Sequence, residues 1–155
     1  MTRINKIEKK RLPDMNILSM RRTINFAEDY SSFMGEAINK IVELIRDEEG
    51  YPSSGPIVYF HNINLEKLDV EIGFQVAEPI AGRDKIKYST LPKRTVVGTI
   101  DQGPYIEQDS TLHDLMEWID ENNYQTVGGI YYHYLNDDDR PEKDFLTEMY
   151  VQISE

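Results

Sequence analysis

The chain of 155 residues has no cysteine, which excludes disulfides, thiolate zinc sites and cysteine nucleophiles and fits a reducing compartment. Histidine is scarce, with only His61, His113 and His133, so a transition-metal site would need carboxylate help. No metal and no cofactor is expected. A G-x-S-x-G elbow, a phosphate-binding glycine loop and an H-E-x-x-H pair are all missing, and with them the chemistry those motifs support. Nowhere do eighteen apolar residues run together, and the opening "MTRINKIEKKRLPD" is polar where a secretory signal needs an apolar stretch. The protein therefore reads as soluble and cytoplasmic, with no membrane partner. Positive charge is also short. Lys+Arg 17 against Asp+Glu 28 leaves a net charge of −11, which repels phosphate backbones and argues against direct nucleic-acid binding. The same acidity keeps the chain soluble and suits a cationic small molecule or a basic protein surface.

What is present reads twice. "RLPDMNILSMRRTINF" (11–26) lies over "TLPKRTVVGTIDQGPY" (90–105), and "AINKIVELIRDEEGY" (37–51) over "TLHDLMEWIDENNY" (111–124). "GPIVYFH" (55–61) then matches "GGIYYHY" (128–134), and "DVEIGFQV" (69–76) matches "LTEMYVQI" (146–153). Each copy opens on a β-branched, apolar strand that ends at a turn signal, Gly103-Pro104 in the second copy. The next segment spaces Ile38, Ile41, Val42 and Ile45, or Leu112, Leu115, Met116 and Ile119, at helical intervals. Asp109 or Ser110 can cap the second helix, and "ENN" ends it with residues that tolerate left-handed dihedrals. Two strands follow. The half-repeats are 11–76 and 90–153, with 77–90 as a linker and 1–10 as a lead-in segment. The expected fold is α+β, a tandem β-α-β-β repeat with pseudo-twofold symmetry. Its antiparallel sheet would carry the helices on one face and a ligand groove on the other.

Strand alternation assigns the faces. Val70, Ile72, Phe74 and Val76 read as core and Glu71, Gly73 and Gln75 as open. In the second copy Met149, Val151 and Ile153 read as core and Glu148, Tyr150 and Gln152 as open. The preceding strands would put Ile57, Tyr59 and His61, and correspondingly Ile130, Tyr132 and Tyr134, on the open face, with Tyr131 and His133 toward the helices. Aromatic rings beside carboxylates suit a flat or cationic organic molecule. Each tyrosine also has the plain reading of strand packing, and Glu71 and Glu148 that of pairing with Arg21 or Arg22.

"LPKRTVVGTIDQGPY", "LHDLMEWIDENNY", "YLNDDD" and "FLTEMYVQI" together resemble the GyrI-like family, the effector-binding domains of AraC- and MerR-type bacterial transcription regulators. The resemblance runs from about residue 11 to the end, so residues 11–155 are expected to be one such domain. It implies small-molecule binding, with multidrug recognition, as a sensor or sequestering domain. The family also offers hydrolases of cyclopropane-bearing, strained electrophiles and a gyrase inhibitor, so a regulator domain or gyrase is a possible protein partner. "NKIEKKRLPD" resembles the lead-in that joins such domains to a regulator. Tyr132 stands where the family often has a glutamate, Asp137-Asp138 where Asp-Pro is usual, and Gln152 where proline is usual. A tyrosine with a pKa of about 10 supplies no anion at neutral pH. The candidate ligand-binding residues are Tyr59, Glu71, Tyr105, Tyr132, Tyr134, Glu148 and Tyr150. Under the hydrolase alternative, Glu148 or Glu71 would activate water while a tyrosine hydroxyl donates to the leaving group.

Overall fold

The computed structural model describes residues 2–105, 109–136 and 139–154. In chain order these form β1 (Thr2–Arg3), β2 (Glu8–Leu12), β3 (Met15–Ile24), α1 (Phe26–Asp47), β4 (Ile57–Phe60), β5 (Leu68–Val76), β6 (Lys87–Leu91), β7 (Arg94–Gln102), α2 (Asp109–Glu121), β8 (Gln125–Tyr134) and β9 (Leu146–Ser154). The fold is α+β with antiparallel strand pairing. The contacts divide the chain into residues 14–92 and a second unit made of 1–13 with 93–155.

In the 14–92 unit, β5 pairs with β3 from Asn16↔Val76 to Ile24↔Leu68, β4 adds to the other side of β5, and β6 to the other side of β3. α1 starts where Asn25 adopts an extended backbone and its side chain accepts a hydrogen bond from the Glu28 amide at 3.1 Å. That cap satisfies one of the orphan amides of the first turn. The helix therefore begins at Phe26, earlier than the expected 37, and Phe26 opens the helix rather than ending the strand. It closes where Glu49 takes φ 58 and the Gly50 amide returns to the Ile45 carbonyl at 2.9 Å. Phe33, Ala37, Ile41, Leu44 and Ile45 make its buried stripe. The stripe lies on the sheet face of Leu18, Met20 and Ile24 on β3 and Val70, Ile72, Phe74 and Val76 on β5, all buried. Arg22 marks that face, with its guanidinium 4.5 Å from the centre of the Phe33 ring and paired to Glu36. The segment expected to be a linker supplies β6.

In the other unit, β9 lies between β7 and β8, and β1 and β2 pair with the far edge of β7. Residues 8–10, expected as lead-in, thus lie in a strand. Val97, Leu115, Ile119, Met149, Val151 and Ile153 form the core between α2 and the sheet. Met116, expected to face inward, is 42% exposed, and buried Thr111 takes a place on the inner face of α2. Asp109 and Ser110 fall inside the first turn of α2, with the preceding residues 106–108 outside the described set. Asn123 at φ 61 ends the helix, as its tolerance for that dihedral predicts.

Gly98 of β7 lies opposite Tyr150 of β9. A Cβ there would come within 2.8 Å of the Tyr150 Cβ and 3.0 Å of the Met149 carbonyl oxygen. Both obstacles belong to the paired strand, so neither can swing away. Gly98→Ala is expected to destabilise the fold by about 1–3 kcal/mol. Urea denaturation at constant m-value measures this, and an unchanged midpoint would show that β9 can retreat from β7.

Candidate functional site

In each unit the strands have one face under a helix and one face without it. On the helix-free face of the 14–92 unit, β4 brings Tyr59 opposite Glu71 and Ile57 opposite Gly73, and β3 brings Ser19 and Arg21 alongside. Glu71 is the centre of this face. The Ser19 hydroxyl donates to its Oε2 at 2.5 Å, and His61 Nε2 lies 2.9 Å from its Oε1. The Tyr59 ring leans on His61 at 4.1 Å between centroids. The carboxylate keeps 26% of its side chain exposed. Neither arginine considered as its partner takes it. Arg21 forms a two-pronged pair with Asp69, through Nε at 2.8 Å and Nη2 at 2.7 Å. That hydrogen bond is the main reason the Asp69 carboxyl is held below its usual range. Arg22 pairs with Glu36 on the other face.

The helix-free face of the other unit differs from the expected one. β8 pairs Tyr131 with Tyr150 and His133 with Glu148, while Ile130, Tyr132 and Tyr134 lie opposite Val151, Met149 and Thr147. Directly paired residues share a face. Tyr131 and His133 are therefore on the helix-free side, where Tyr131 is nonetheless buried, and Ile130 and Tyr132 pack on the core beneath α2. The expected assignment is reversed. It rested on matching Gly55 with Gly128, yet Gly55 precedes β4, whereas Gly128, at φ 81, lies inside β8. There the pairing is irregular: β8 runs from Thr126 to Ile130 while β9 moves only from Ile153 to Val151. Matched by pairing partner, Tyr131 corresponds to Ile57 and His133 to Tyr59. The glycine match is one residue out, and a one-residue slip turns over every side chain.

Around Glu148 this face gathers Lys10, whose ammonium pairs with the carboxylate, and His133, whose Nδ1 is 3.9 Å from it. The Tyr131 and Tyr150 rings stack at 4.7 Å and 7°, and the buried Arg94 guanidinium lies 5.7 Å from the Tyr131 ring centre. Burial pushes the Tyr150 phenol above its ordinary value despite the Arg94 charge and hydrogen bond that pull it down. It stays a protonated donor at neutral pH.

The candidate residues thus fall into four places. Tyr59 and Glu71 are together on one helix-free face, and Glu148 and Tyr150 on the other. Tyr132 is against the core, and Tyr134 joins Tyr105 and Phe145 in an aromatic cluster at the end of its strand, with Tyr105 4.7 Å from Tyr134 and 4.9 Å from Phe145. Asn136 of the "YLND" segment extends the pairing by accepting from the Leu146 amide, and Asp137 and Asp138 lie outside the described residues. Sequence reasoning missed Ser19, Tyr131, Lys10 and Arg94 and placed His133 on the wrong face. Aligning the last two strands by pairing partner would have recovered Tyr131 and His133. A separate cleft of about 350 Å³ at the C-terminal end of α1, lined by residues that include Glu48, Tyr51, Glu78 and Ile80, contains none of the candidate residues.

Burial lowers the His133 pKa, and Lys10 adds to this, while Glu148 pulls it back up. Since the folded value lies below the ordinary value of about 6.5, the fold accommodates neutral His133. The stability this contributes is present above about pH 6.5 and is lost as pH falls through the depressed folded value. One proton limits the slope to about 1.4 kcal/mol per pH unit. Between pH 7.5 and 5 the wild type is expected to lose more Tm than His133→Gln. Parallel Tm curves for the two proteins would show that His133 titrates alike folded and unfolded.

The profile of the family described as GyrI-like small molecule binding domain matches residues 5–154. The chain is similar in structure to EcmrR, solved in an EcmrR–DNA complex within EcmrR-RPo, with TM-score 0.84 and 18% identity over 97% of this chain and 57% of that one. It spans little more than half of that relative. Against the EcmrR C-terminal domain alone the TM-score is 0.80 at 18% identity, covering 98% of this chain and 99% of that one. A hydrolase from Listeria innocua gives 0.66 at 13% identity, covering 96% and 92%. SAV2435, solved with tetraphenylphosphonium bound, gives 0.63 at 12% identity, covering 97% and 94%. No curated protein matches the sequence. These structural likenesses speak for the fold, and the family match, which takes in nearly the whole sequence, decides membership: the chain belongs to the GyrI-like small molecule binding domains.

Proposed function

We propose that the protein binds a small, planar or cationic organic molecule as an effector-sensing or sequestering domain, and that Glu71 with Tyr59 and His61 receives it. The carrying observation is the state of Glu71. Its carboxylate is part-buried on a helix-free face, is oriented by Ser19 and His61, and adjoins the Tyr59 ring. Two donors hold the carboxylate in place without a direct salt bridge from a lysine or arginine; Arg21, across the strand pair, acts on it only through space because its guanidinium is bound to Asp69. A cation brought to it gains Coulomb attraction in a partly desolvated setting, and the neighbouring ring adds cation–π attraction. The lipophilic cation on SAV2435 supports the ligand class, and the net charge of −11 favours the approach of cations. Tyr132, at the place where the family often has a glutamate, packs toward the core, which leaves Glu71 as the acid of this reading.

The His61–Glu71 hydrogen bond favours one further reading, the hydrolase, in which the pair would draw a proton from water attacking a strained electrophile. The Listeria hydrolase supports it through fold alone. The two readings part on turnover: product from a cyclopropane-bearing alkylator, lost in Glu71→Gln, belongs to the enzyme only.

Binding to the native state raises stability by about 2.7 kcal/mol at a ligand concentration 100 times Kd. For a domain of this size that is roughly 5–11 °C in Tm, taking about 2–4 °C per kcal/mol. A lipophilic cation such as tetraphenylphosphonium is expected to give such a shift with the wild type. Glu71→Gln should weaken binding by about tenfold or more, equivalent to about 1.4 kcal/mol. An equal shift in the two proteins would remove Glu71 from the site.

A further inference from the structure

The two helix-free faces repeat one strand pattern and partner their glutamates differently. Glu71 lies opposite Tyr59 on β4, and Glu148 opposite His133 on β8. On the other side, Gly73 is opposite Ser19, and Tyr150, its counterpart, is opposite Gly98. Gly98 thus holds the position of Ser19 but has no hydroxyl to donate. The edge strands complete the contrast. β6 sets Ser89 opposite Ile17, two residues before Ser19, and β2 sets Lys10 opposite Val96, two residues before Gly98. A lysine stands where the other unit has a serine.

Lys10 reaches Glu148 and pairs with it, the carboxylate being 13% exposed and the lysine side chain 36%. The result is a primary ammonium on a mostly buried carboxylate, next to the His133 ring and near two stacked, buried tyrosines. The Tyr131 and Tyr150 rings are buried, so an organic cation arriving here would meet Glu148 and His133, whose side chains are each 13% exposed. A tethered ammonium competes with a free one at the high effective concentration its linkage confers. Removing it would leave a poorly solvated negative charge without its partner, the condition that most favours capture of a cation.

We propose that Lys10 is a specificity-determining residue, a built-in occupant of Glu148 that keeps free organic cations off this face and leaves Glu71 to receive them. The proposal rests on reading Glu71 as the cation-recognising carboxylate. It makes the strand before the first repeat part of the recognition machinery.

The test follows backbone amides by ¹⁵N NMR during titration with benzylammonium, with benzoate as the anionic control. In the wild type, Ile72 beside Glu71 should shift and Met149 beside Glu148 should not. In Lys10→Met, Met149 should begin to shift, and to saturate within the concentration range over which it stays still in the wild type. Lys10→Arg should remain silent there, and Lys10→Met with Glu148→Gln should lose the gain. If Lys10→Met lacks a dispersed spectrum, Lys10→Gln replaces it. Met149 titrating with benzylammonium in the wild type, staying still in the charge-removed variants, or responding to benzoate in the wild type would each overturn the proposal. A silent Ile72 in the wild type would instead overturn the reading of Glu71, whatever Met149 does.

Discussion

Antiparallel pairing decides which way every side chain near the candidate site points. Once Glu71 is paired between Arg21 and Tyr59, and Glu148 between Ile100 and His133, two-residue alternation fixes the faces of whole strands. Val70, Ile72 and Phe74 then have to lie beneath α1, and Met149 and Val151 beneath α2, because apolar area removed from water is worth about 25 cal/mol per Å². The glutamates are carried to the opposite faces by the same alternation. Their positions follow from core burial, which is why a shift of one residue would cost both the core and the site.

A carboxylate held on such a face with little solvent has to be partnered, since burying an unpaired charge costs several kcal/mol. The protein answers this locally in several ways. Asp69 takes the two-pronged guanidinium of Arg21, which fits both carboxylate oxygens. Glu71 takes a hydroxyl and an imidazole. Glu148 takes an ammonium. The three leave very different residual chemistry. A carboxylate matched by an arginine or lysine has little charge left to offer, whereas one oriented by Ser19 and His61 keeps an acceptor face for a third group.

Much of this was legible in the sequence. The apolar sets of β5 and β9 alternate without interruption, so their faces could be read from spacing, and the duplicated β-α-β-β grammar gave the α+β class. The "ENN" end of α2 was visible because Asn123 tolerates the left-handed dihedral. The helix start was not, because Phe26 reads equally well as the end of a strand until the Asn25 cap is seen. β8 was misread for a physical reason. Its residues from Ile130 to Tyr134 are apolar or aromatic on both faces, so hydrophobicity carries no phase, and the glycines used in its place lie in an irregular stretch. Lys10 and Ser19 were out of reach. A lysine on an edge strand and a serine in a hydrophobic one gain meaning only from a glutamate distant in sequence.

The repeat explains why the two halves diverge where they do. Positions under the helices are held to a common apolar pattern by packing density, which punishes a change of even one methylene. Positions on the helix-free faces have to pack and also to keep each polar group satisfied, and several partner sets meet both needs. Serine opposite glycine in one unit becomes glycine opposite tyrosine in the other, and the small residue moves to whichever strand must let its neighbour approach. Gly98 makes room for the Tyr150 Cβ, and that choice forfeits the hydroxyl that Ser19 gives to Glu71. A cation from β2 then becomes the available means of satisfying Glu148. The partner of Glu148 is thus tied to one packing contact between β7 and β9, β7 being the strand that pairs with the lysine's own.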